Sequence, residues 1–536
     1  MKKEYKKKFI KCSLFLILLC VVLTGCLYVL EKPKNSQWDA SGLEYVHKNR
    51  NFYDVLFCGT SIAVMNVSNE ELYSEYGIAA MTLGEPEQPT YLSYYTLEEA
   101  LQYQSPKVVF FDINSLFYSE EKLRDYINRA EDYNVHLSID KMRNYYLKYK
   151  AVKTAKTLKP ELDIWDYFSK TYYTHSNWQS LSRENFIRKS GNLVMNGNYM
   201  SFSIGEGLDD IRKSLNTEYS ADIECAKLED FNIEYLQKII DLCKEKDVNL
   251  VLLRGGGVLT YLSNENYNAI SEIAYQNNIP FLDLSQCDKE IGFDWNTDSA
   301  DGNHHNVLWT KKWTDYLGDY LISNYQFEDK RKDESYSYME SELERYQNIL
   351  NIMQTKVELL SAIDFETYID ELCKVDTSQN TIFIAVNDDG FDSLTEKQYA
   401  KLSQLGLSSD FEDKFRYSYV AVINNQKITE KLSDTQIEIE DLLENGDSYK
   451  ISSGGYLSGI SASMLLNGVE NVQGGRGFNI IVYNKKYREI LSNVFFDTYN
   501  EANPHTGRKA KNSKEQYEQE TGVNTWREII RIDSLY

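Results

Sequence analysis

Short apolar runs alternate with stretches of helical spacing over residues 45–327. Five apolar runs that end at turn or polar residues lie at 54–59, 78–83, 107–113, 248–253 and 279–284. Stretches with helical spacing lie at 92–103, 233–246, 264–276 and 307–325. Continuous apolar runs are typical of buried parallel strands, and the alternation predicts right-handed crossovers. We therefore expect an α/β domain with a doubly wound, mostly parallel sheet of three-layer, flavodoxin-like type.

The rest of the chain follows other patterns. Residues from about 120 to 228 are rich in Tyr, and we interpret them as a helical insertion that covers part of the site. The charged stretch at the start of 328–372 predicts a linker, and helical spacing follows it. Strand-like runs separated by Gly and Asn then predict an α+β domain over 375–500, followed by a polar tail at 501–536.

The N-terminus predicts a membrane anchor. A basic stub at 1–11 precedes an uncharged apolar run at 12–30, which as a helix spans roughly 28 Å, about the thickness of a bilayer core. The lysines before the run favour a cytoplasmic N-terminus and an extracellular body, as in a single-pass protein of the cell membrane. Leu23-Thr24-Gly25-Cys26 resembles a bacterial lipobox, so a lipoprotein anchored at Cys26 is the alternative. Both interpretations leave the body outside the cell.

Charge and cysteine content exclude several functions. The formal charge is −23; residues 1–34 hold eight Lys and two Glu, or +6, which leaves −29 for the remainder. A body of that charge repels phosphate backbones, so we expect no nucleic-acid partner. The eight cysteines are scattered, without a C-x-x-C pair or a Cys/His cluster. This spacing favours neither a zinc site nor a disulfide framework, and we expect no metal and no cofactor.

Polar residues at the predicted strand ends suggest acyl-transfer chemistry. Ser61 follows the first strand, and Asp301 and His304 precede the last helix. Acyl transfer needs a nucleophile, a base, a carboxylate that orients the base, and donors for the oxyanion. Ser61, His304 and Asp301 supply the first three; the Ser61 and Gly84 N–H groups and the Asn114 amide are the candidate donors. Taken singly, a Ser at a helix start is usually an N-cap, and a flanking His305 is expected to be a surface residue.

These motifs occur in the order of the SGNH (GDSL-like) hydrolase blocks. Residues of about 50–327, including the segments around Gly84 and after His304, are similar to membrane-anchored SGNH proteins of Gram-positive bacteria. The resemblance implies a Ser-His-Asp site acting on acyl esters. Three segments depart from the family pattern: Ile62 follows the serine, Arg254-Gly-Gly-Gly257 replaces a Lys-Thr-Pro-like segment, and Asp112-Ile-Asn114-Ser115 replaces Gly-x-Asn-Asp.

The resemblance implies a cell-surface esterase or O-acyltransferase that acts on acetyl-like esters of cell-envelope polysaccharide. A membrane-bound O-acyltransferase is a candidate partner in the transferase case. The departures keep a second hypothesis open, a catalytically degenerate scaffold that binds glycans at the cell surface. Turnover of model esters separates the two hypotheses.

The C-terminal segments resemble a different family. Arg476-Gly-Phe-Asn-Ile-Ile-Val482 and Phe496-Asp-Thr-Tyr499 are similar to the signature of the interleukin-like EMT inducer (ILEI) domain over about 375–500. The resemblance implies a non-catalytic α+β module, lectin-like in some relatives. A carbohydrate-binding role and a purely structural role both remain open at this point.

Overall fold

The computed structural model of the chain describes residues 2–30, 42–132, 137–168, 178–179, 181, 186, 194–205, 219–255, 262–391, 394–411, 413–414, 416–472, 475–499 and 506–507. The chain forms two compact units, Met1–Gln347 and Asn348–Tyr536. Each unit is described by itself below. The predicted polar tail lies outside the described residues except for 506–507.

The first unit begins with a long apolar helix, α1 (Lys2–Leu30). Its segment Lys8–Leu30 is 23 residues long and apolar enough to cross a membrane. Protein does not cover its apolar side chains, since Phe15 and Leu18 are 63% and 62% exposed. The predicted apolar helix is therefore confirmed. A signal sequence can have the same length and composition, so the transmembrane topology stays a prediction.

The described residues of the first unit form seven strands: β1 (Val55–Gly59), β2 (Ala80–Gly84), β3 (Val108–Asp112), β4 (Val194–Met195), β5 (Asn198–Tyr199), β6 (Asn249–Arg254) and β7 (Phe281–Asp283). Five of them form one sheet in the order β2-β1-β3-β6-β7, and every neighbouring pair is parallel. The chain moves from β1 to one side for β2 and to the other side for β3. In open α/β sheets, such a switch point is where ligands bind, outside the carboxyl ends of the strands.

Eleven further helices are described in the first unit up to Asn324: α2 (Leu43–Val46), α3 (Ser61–Asn66), α4 (Asn69–Tyr76), α5 (Thr90–Ala100), α6 (Glu120–Asp132), α7 (Leu137–Lys141), α8 (Tyr145–Leu158), α9 (Asp230–Glu245), α10 (Asn264–Asn277), α11 (Asp288–Ile291) and α12 (Val307–Asn324). They lie on both faces of the sheet. Leu56 and Cys58 of β1 pack into a core with residues of α5, α8 and α9, whereas Val55 and Phe57 pack into a second core with residues of α12. Because both faces are buried, the strands are apolar at consecutive positions. The predicted parallel sheet with helices is confirmed.

The insertion between β3 and α9 contains both helices and a hairpin. Helices α6, α7 and α8 agree with the predicted helical character. Strands β4 and β5 pair antiparallel around Asn196-Gly197, whose φ angles of 41° and 87° fit a type I′ turn. The sequence analysis missed this hairpin. Residues 133–136, 169–177, 180, 182–185, 187–193 and 206–218 of the insertion lie outside the described residues.

The charged segment after α12, predicted as a linker, packs on the first unit. Short 3-10 turns occupy Lys330–Lys332 and Glu334–Tyr336. The Tyr336 ring stacks on Phe52 at a centroid distance of 3.9 Å, and its hydroxyl donates to the Phe52 carbonyl at 2.8 Å. The segment therefore packs on the first unit through buried side chains such as Tyr336, although most of its residues are charged. Helix α13 (Tyr338–Ser361) follows, as the helical spacing predicts.

Two antiparallel sheets are formed by the residues that the structure describes in the second unit. Its helices are α14 (Phe365–Leu372) and α15 (Glu396–Gln404). Its strands are β8 (Asn380–Asn387), β9 (Ser418–Asn424), β10 (Lys427–Ser433), β11 (Ile437–Leu442), β12 (Ser448–Gly454), β13 (Ser461–Leu466), β14 (Val469–Glu470), β15 (Gly477–Asn484), β16 (Glu489–Phe496) and β17 (Thr506–Gly507). One sheet has the order β10-β9-β8-β15-β16-β17, and the other has the order β11-β12-β13-β14.

The two sheets of the second unit enclose a shared apolar core. Phe383 and Ile481 of the six-stranded sheet pack with Ile451 and Met464 of the four-stranded sheet. On the other face of the larger sheet, the Phe365 ring of α14 lies 5.2 Å from that of Phe478. Antiparallel sheets with helices in the C-terminal part agree with the predicted α+β character.

Candidate active site

Ser61 lies at the junction between β1 and α3. Strand β1 ends at Gly59, and Thr60 is the N-cap of α3, its side chain accepting a hydrogen bond from the Ile62 N–H at 3.2 Å. Ser61 is the first residue of the helix. The serine therefore lies at the carboxyl edge of the sheet and is not itself the capping residue. The N-cap interpretation of Ser61 is wrong, because Thr60 has that function.

A tight turn before α12 holds Asp301 and His304. The Asp301 carboxylate accepts hydrogen bonds from the N–H groups of Asn303 and His304 at 2.7 and 2.8 Å. The Ala300 N–H donates to the His304 carbonyl at 2.9 Å, and Ser299 forms an isolated antiparallel bridge with His305. These backbone bonds fix the direction in which the imidazole leaves the turn.

Ser61, His304 and Asp301 form a continuous hydrogen-bonded chain. His304 Nε2 lies 2.8 Å from Ser61 Oγ, and His304 Nδ1 lies 3.0 and 3.2 Å from the two oxygens of Asp301. An ionised carboxylate only accepts, so the Nδ1 proton points to Asp301. Nε2 then accepts the hydroxyl proton of Ser61. This is the tautomer in which a histidine acts as the base for a serine nucleophile.

The surroundings keep Asp301 ionised. Desolvation alone would raise the pKa of Asp301, but hydrogen bonds from the His304 ring and from the N–H groups of Asn303 and His304 outweigh it and lower the pKa. Its side chain is 57% exposed, whereas that of His304 is 19% exposed. The imidazole is thus shielded while the carboxylate that orients it borders solvent.

Gly84 and Asn114 lie at the same edge of the sheet. Gly84 ends β2 directly beside Gly59, and a Cβ at Gly84 would lie 2.9 Å from the Gly59 carbonyl oxygen. Asn114 lies in the 3-10 turn Ile113–Phe117, and its Nδ2 group donates to Asp112 at 2.6 Å. An amide nitrogen carries two hydrogens, so this bond leaves the second for another acceptor.

The buried carboxylate of Asp112 links the two turns, and the sequence analysis did not assign it a function. One oxygen of Asp112 accepts from the N–H and the hydroxyl of Thr60 at 3.1 and 2.5 Å. The other oxygen accepts from the N–H and the Nδ2 group of Asn114 at 3.2 and 2.6 Å. Burial raises the pKa of Asp112, against the opposing effect of the Thr60 and Asn114 bonds and of the charge on Arg254.

Gly59 permits the close approach of Asp112. Its φ angle is +151°, and a Cβ there would lie 2.4 Å from Cβ of Asp112. The sequence signal for this arrangement is a glycine at the end of one strand and a polar residue at the end of the strand that lies beside it in the sheet. The signal is weak, because it requires the register of β1 against β3.

The β4–β5 hairpin supports α3 from the side through a buried amide network. Asn198 Nδ2 donates to the Val64 carbonyl at 3.2 Å and to Thr82 Oγ1 at 3.0 Å. Asn69 Nδ2 donates to Asn198 Oδ1 at 2.5 Å and to the Asn196 carbonyl at 2.7 Å. Buried amides with several partners hold neighbouring elements in one arrangement. The Asn196-Gly197 dipeptide is a hairpin signal that was present in the sequence.

His305 is not a surface residue, contrary to the expectation. It is 0% exposed, and its ring lies 4.7 Å from that of Trp309 and 5.4 Å from that of Phe293. The side chain points into the aromatic core beneath α12, on the opposite side of the backbone from His304. A neighbouring pair of histidines in sequence therefore has one member in the core and one at Ser61.

The chain matches no model of a known protein family, and no curated protein matches it. Among the described residues, no group of three or more His, Cys, Asp or Glu side chains is arranged to hold a metal ion. The interpretation of the site therefore depends on its own geometry.

Proposed function

We propose that the first unit is an SGNH-type serine esterase or O-acyltransferase. The observation that carries the proposal is the 2.8 Å contact between His304 Nε2 and Ser61 Oγ, with Asp301 on the far side of the imidazole. These residues lie 243 positions apart in the chain. Their contact at the carboxyl edge of a parallel sheet supports a shared chemical function, since functional sites occur at that edge.

The geometry supports a two-step mechanism. Ser61 Oγ attacks the ester carbonyl carbon while His304 Nε2 takes the hydroxyl proton, and the carbonyl oxygen becomes an oxyanion. The C–O bond to the alcohol then breaks, and His304 returns the proton to the leaving oxygen. Water or a glycan hydroxyl attacks the acyl-serine in the same way and restores Ser61. Asp301 orients the imidazole and stabilises its charged form in both steps.

Donors at the strand ends stabilise the oxyanion in this proposal. The Ser61 and Gly84 N–H groups and the second Nδ2 hydrogen of Asn114 are the proposed donors. A single such donor contributes a factor of about 10²–10³ to kcat in acyl transfer. Asp112 is a positioning residue here, because it holds the turns of Thr60 and Asn114 without reaching the reacting atoms.

The proposed setting is the outer face of the cell membrane. Lys8–Leu30 is the proposed single-pass anchor, with the basic stub in the cytoplasm and the body outside; a lipoprotein anchored at Cys26 gives the same side. The proposed substrate is an acyl ester of cell-envelope polysaccharide. A membrane-bound O-acyltransferase is the proposed partner if the acyl group passes to a glycan.

The second unit is proposed to be an ILEI-like, glycan-binding accessory module. In support, the signature residues contact one another: Arg476 forms a bidentate pair with Asp497 at 2.9 and 2.8 Å, and its guanidinium lies 4.2 Å from the centre of the Tyr499 ring. Exposed aromatic rings beside charged side chains suit polar ligands with apolar faces.

Turnover of an O-acetylated polysaccharide by the full chain in detergent tests the enzymatic proposal. We expect release or transfer of acetyl groups by the wild type and loss of turnover in Ser61→Ala. Ser119→Ala is the control, because the Ser119 hydroxyl accepts from the Lys122 N–H at 3.2 Å at the start of α6 and has no place in the proposed mechanism. Binding of the polysaccharide without turnover by the wild type would instead support the degenerate scaffold.

A further inference from the structure

Helix α8 has an outer face that differs in charge from the rest of the chain. Residues 141–160 contain seven Lys or Arg and no Asp or Glu, in a chain of net charge −23. The buried side of α8 is formed by Leu147, Ala151, Val152, Ala155 and Leu158, which belong to the core of the first unit. With 100° between successive residues, the tyrosines and lysines outside the buried side fall on one arc, which we call the Tyr-Lys face: Tyr145, Tyr146, Tyr149, Lys150, Lys153 and Lys156.

The tyrosines of the Tyr-Lys face are open to solvent. Tyr145, Tyr146 and Tyr149 are 73%, 66% and 44% exposed. Lys150 Nζ lies 4.8 Å from the centre of the Tyr146 ring. Other tyrosines of the same unit pack in its core and are buried; Tyr91, for example, is 1% exposed. The Tyr145 ring stacks on Phe168 at a centroid distance of 6.5 Å, whereas the exposed rings of Tyr146 and Tyr149 add little to the stability of the fold.

The lysines of the face keep their charge available. Lys148 lies 3.5 Å from Asp140, but it is on the buried side of the helix. Over the described part of the chain, no carboxylate forms an ion pair with Lys150, Lys153 or Lys156. The Lys156 ammonium donates to the Leu162 carbonyl at 2.9 Å. Helix α9, in contrast, carries Glu–Lys pairs such as Glu234–Lys238.

We propose that the Tyr-Lys face docks on the anionic surface of the bilayer that holds α1. This inference rests on the proposed anchor and not on the esterase chemistry. Residues 31–41 connect α1 to the body, and a chain of that length reaches at most about 40 Å. The body therefore stays next to lipid headgroups. Its net negative charge is repelled by anionic lipids, so the acid-free face is the one that approaches them.

The composition of the face suits this partner. Tyrosine is enriched at the membrane–water interface, where its ring and its hydroxyl are both satisfied. Each lysine near an anionic surface increases the docked population by about fivefold, and the attraction decays within roughly 10 Å at 0.1 M salt. Docking through α8 would fix the direction in which the carboxyl edge of the sheet faces the envelope.

The test uses the full chain in lipid nanodiscs that contain either neutral phosphatidylcholine alone or a mixture with phosphatidylglycerol. A membrane-impermeant acylating reagent modifies accessible lysines, and mass spectrometry reads the modification of Lys153. We expect Lys153 to react about fivefold or more slowly in the anionic discs than in the neutral ones. Raising the salt concentration should abolish the difference.

Variants assign the effect to the face. Lys150→Gln with Lys156→Gln should return the reactivity of Lys153 in anionic discs to within the neutral-disc range. The charge-matched control, Lys238→Gln on α9 with Lys246→Gln at its C-cap, should leave Lys153 protected. Equal reactivity of Lys153 in both discs, with the chain retained in them, overturns the inference while the anchor survives. A chain that fails to co-elute with the discs contradicts the anchor and the inference together.

A soluble polyanion is the competing partner. Poly(glycerol phosphate) is added to the chain in neutral discs, and the reactivity of Lys153 is measured again. If the polymer protects Lys153 more than anionic lipid does, the lipid assignment is overturned. None of these measurements depends on ester turnover, so their failure and that of the esterase proposal are separate.

Discussion

Replacing Asp112 with Asn should disable the site while the three residues of the Ser61–His304–Asp301 chain remain. Asp112 accepts two hydrogen bonds at each oxygen, from Thr60 on one side and from Asn114 on the other. In Asp112→Asn, an amide NH₂ that faces Thr60 can donate to the Thr60 hydroxyl, which rotates to accept, so that only the buried Thr60 N–H loses its acceptor. The free energy of unfolding then falls by about 1–3 kcal/mol.

The effect on catalysis follows from the position of Thr60. Thr60 directly precedes Ser61, and a misplacement of about 1 Å at a reacting group can lower the rate about 10²-fold. We expect kcat/KM for a model acetyl ester to fall by roughly that factor at a temperature where the variant is folded. Hydrolysis of 4-nitrophenyl acetate measures the activity, and thermal unfolding followed by circular dichroism measures the stability.

Glu99→Ala is the control. Glu99 is also a fully buried carboxylate, and its Oε1 accepts from the N–H groups of Arg143 and Asn144 at 2.5 and 3.3 Å and lies 2.8 Å from His47 Nε2. Its removal leaves these donors without their acceptor and should destabilise the first unit without changing kcat/KM of the folded protein. If Asp112→Asn is destabilised yet retains wild-type kcat/KM, Asp112 is structural only and the positioning argument is refuted.

Two further variants test the local geometry and the buried charge. Gly59→Ala should unfold the first unit at lower temperature than Gly292→Ala, because both glycines have positive φ but only a Cβ at residue 59 collides with Asp112; equal melting temperatures would contradict this. Burial raises the pKa of Glu70 to about 7 from an ordinary value of 4.5, so its contribution to stability is complete below pH 4.5 and is lost as the pH rises through 7. The melting temperature of Glu70→Gln relative to wild type should therefore rise between about pH 5 and pH 8, and a constant difference would contradict the assignment.

The sequence predicted the parallel sheet well, because strands buried on both faces are apolar at most consecutive positions. The run at 54–59 became β1 within one residue, and the run at 248–253 became β6. The order of Ser61, Asp301 and His304 along the chain also placed all three at one edge. Such residues are predictable because strand ends and helix starts fix their positions without detailed packing.

The supporting residues were not predictable from pattern alone. The function of Asp112 depends on the register of β3 against β1 and on the missing side chain at Gly59, and neither is visible in one segment. His305 was wrongly expected at the surface. It is adjacent to His304 in sequence, and only the conformation of the turn determines which of the two side chains contacts Ser61. The stacking of Tyr336 on Phe52 was not predictable, because the few apolar residues of this segment are spaced among many charges.

The central claim is that the Ser61 hydroxyl, activated by His304, is a nucleophile. Reaction of the full chain with a fluorophosphonate, followed by peptide mass spectrometry, tests it most directly. The account predicts a covalent adduct on Ser61 in the wild type, and no adduct in Ser61→Ala or His304→Ala. An adduct that persists in Ser61→Ala, or a folded wild type that stays unmodified at Ser61, would contradict it.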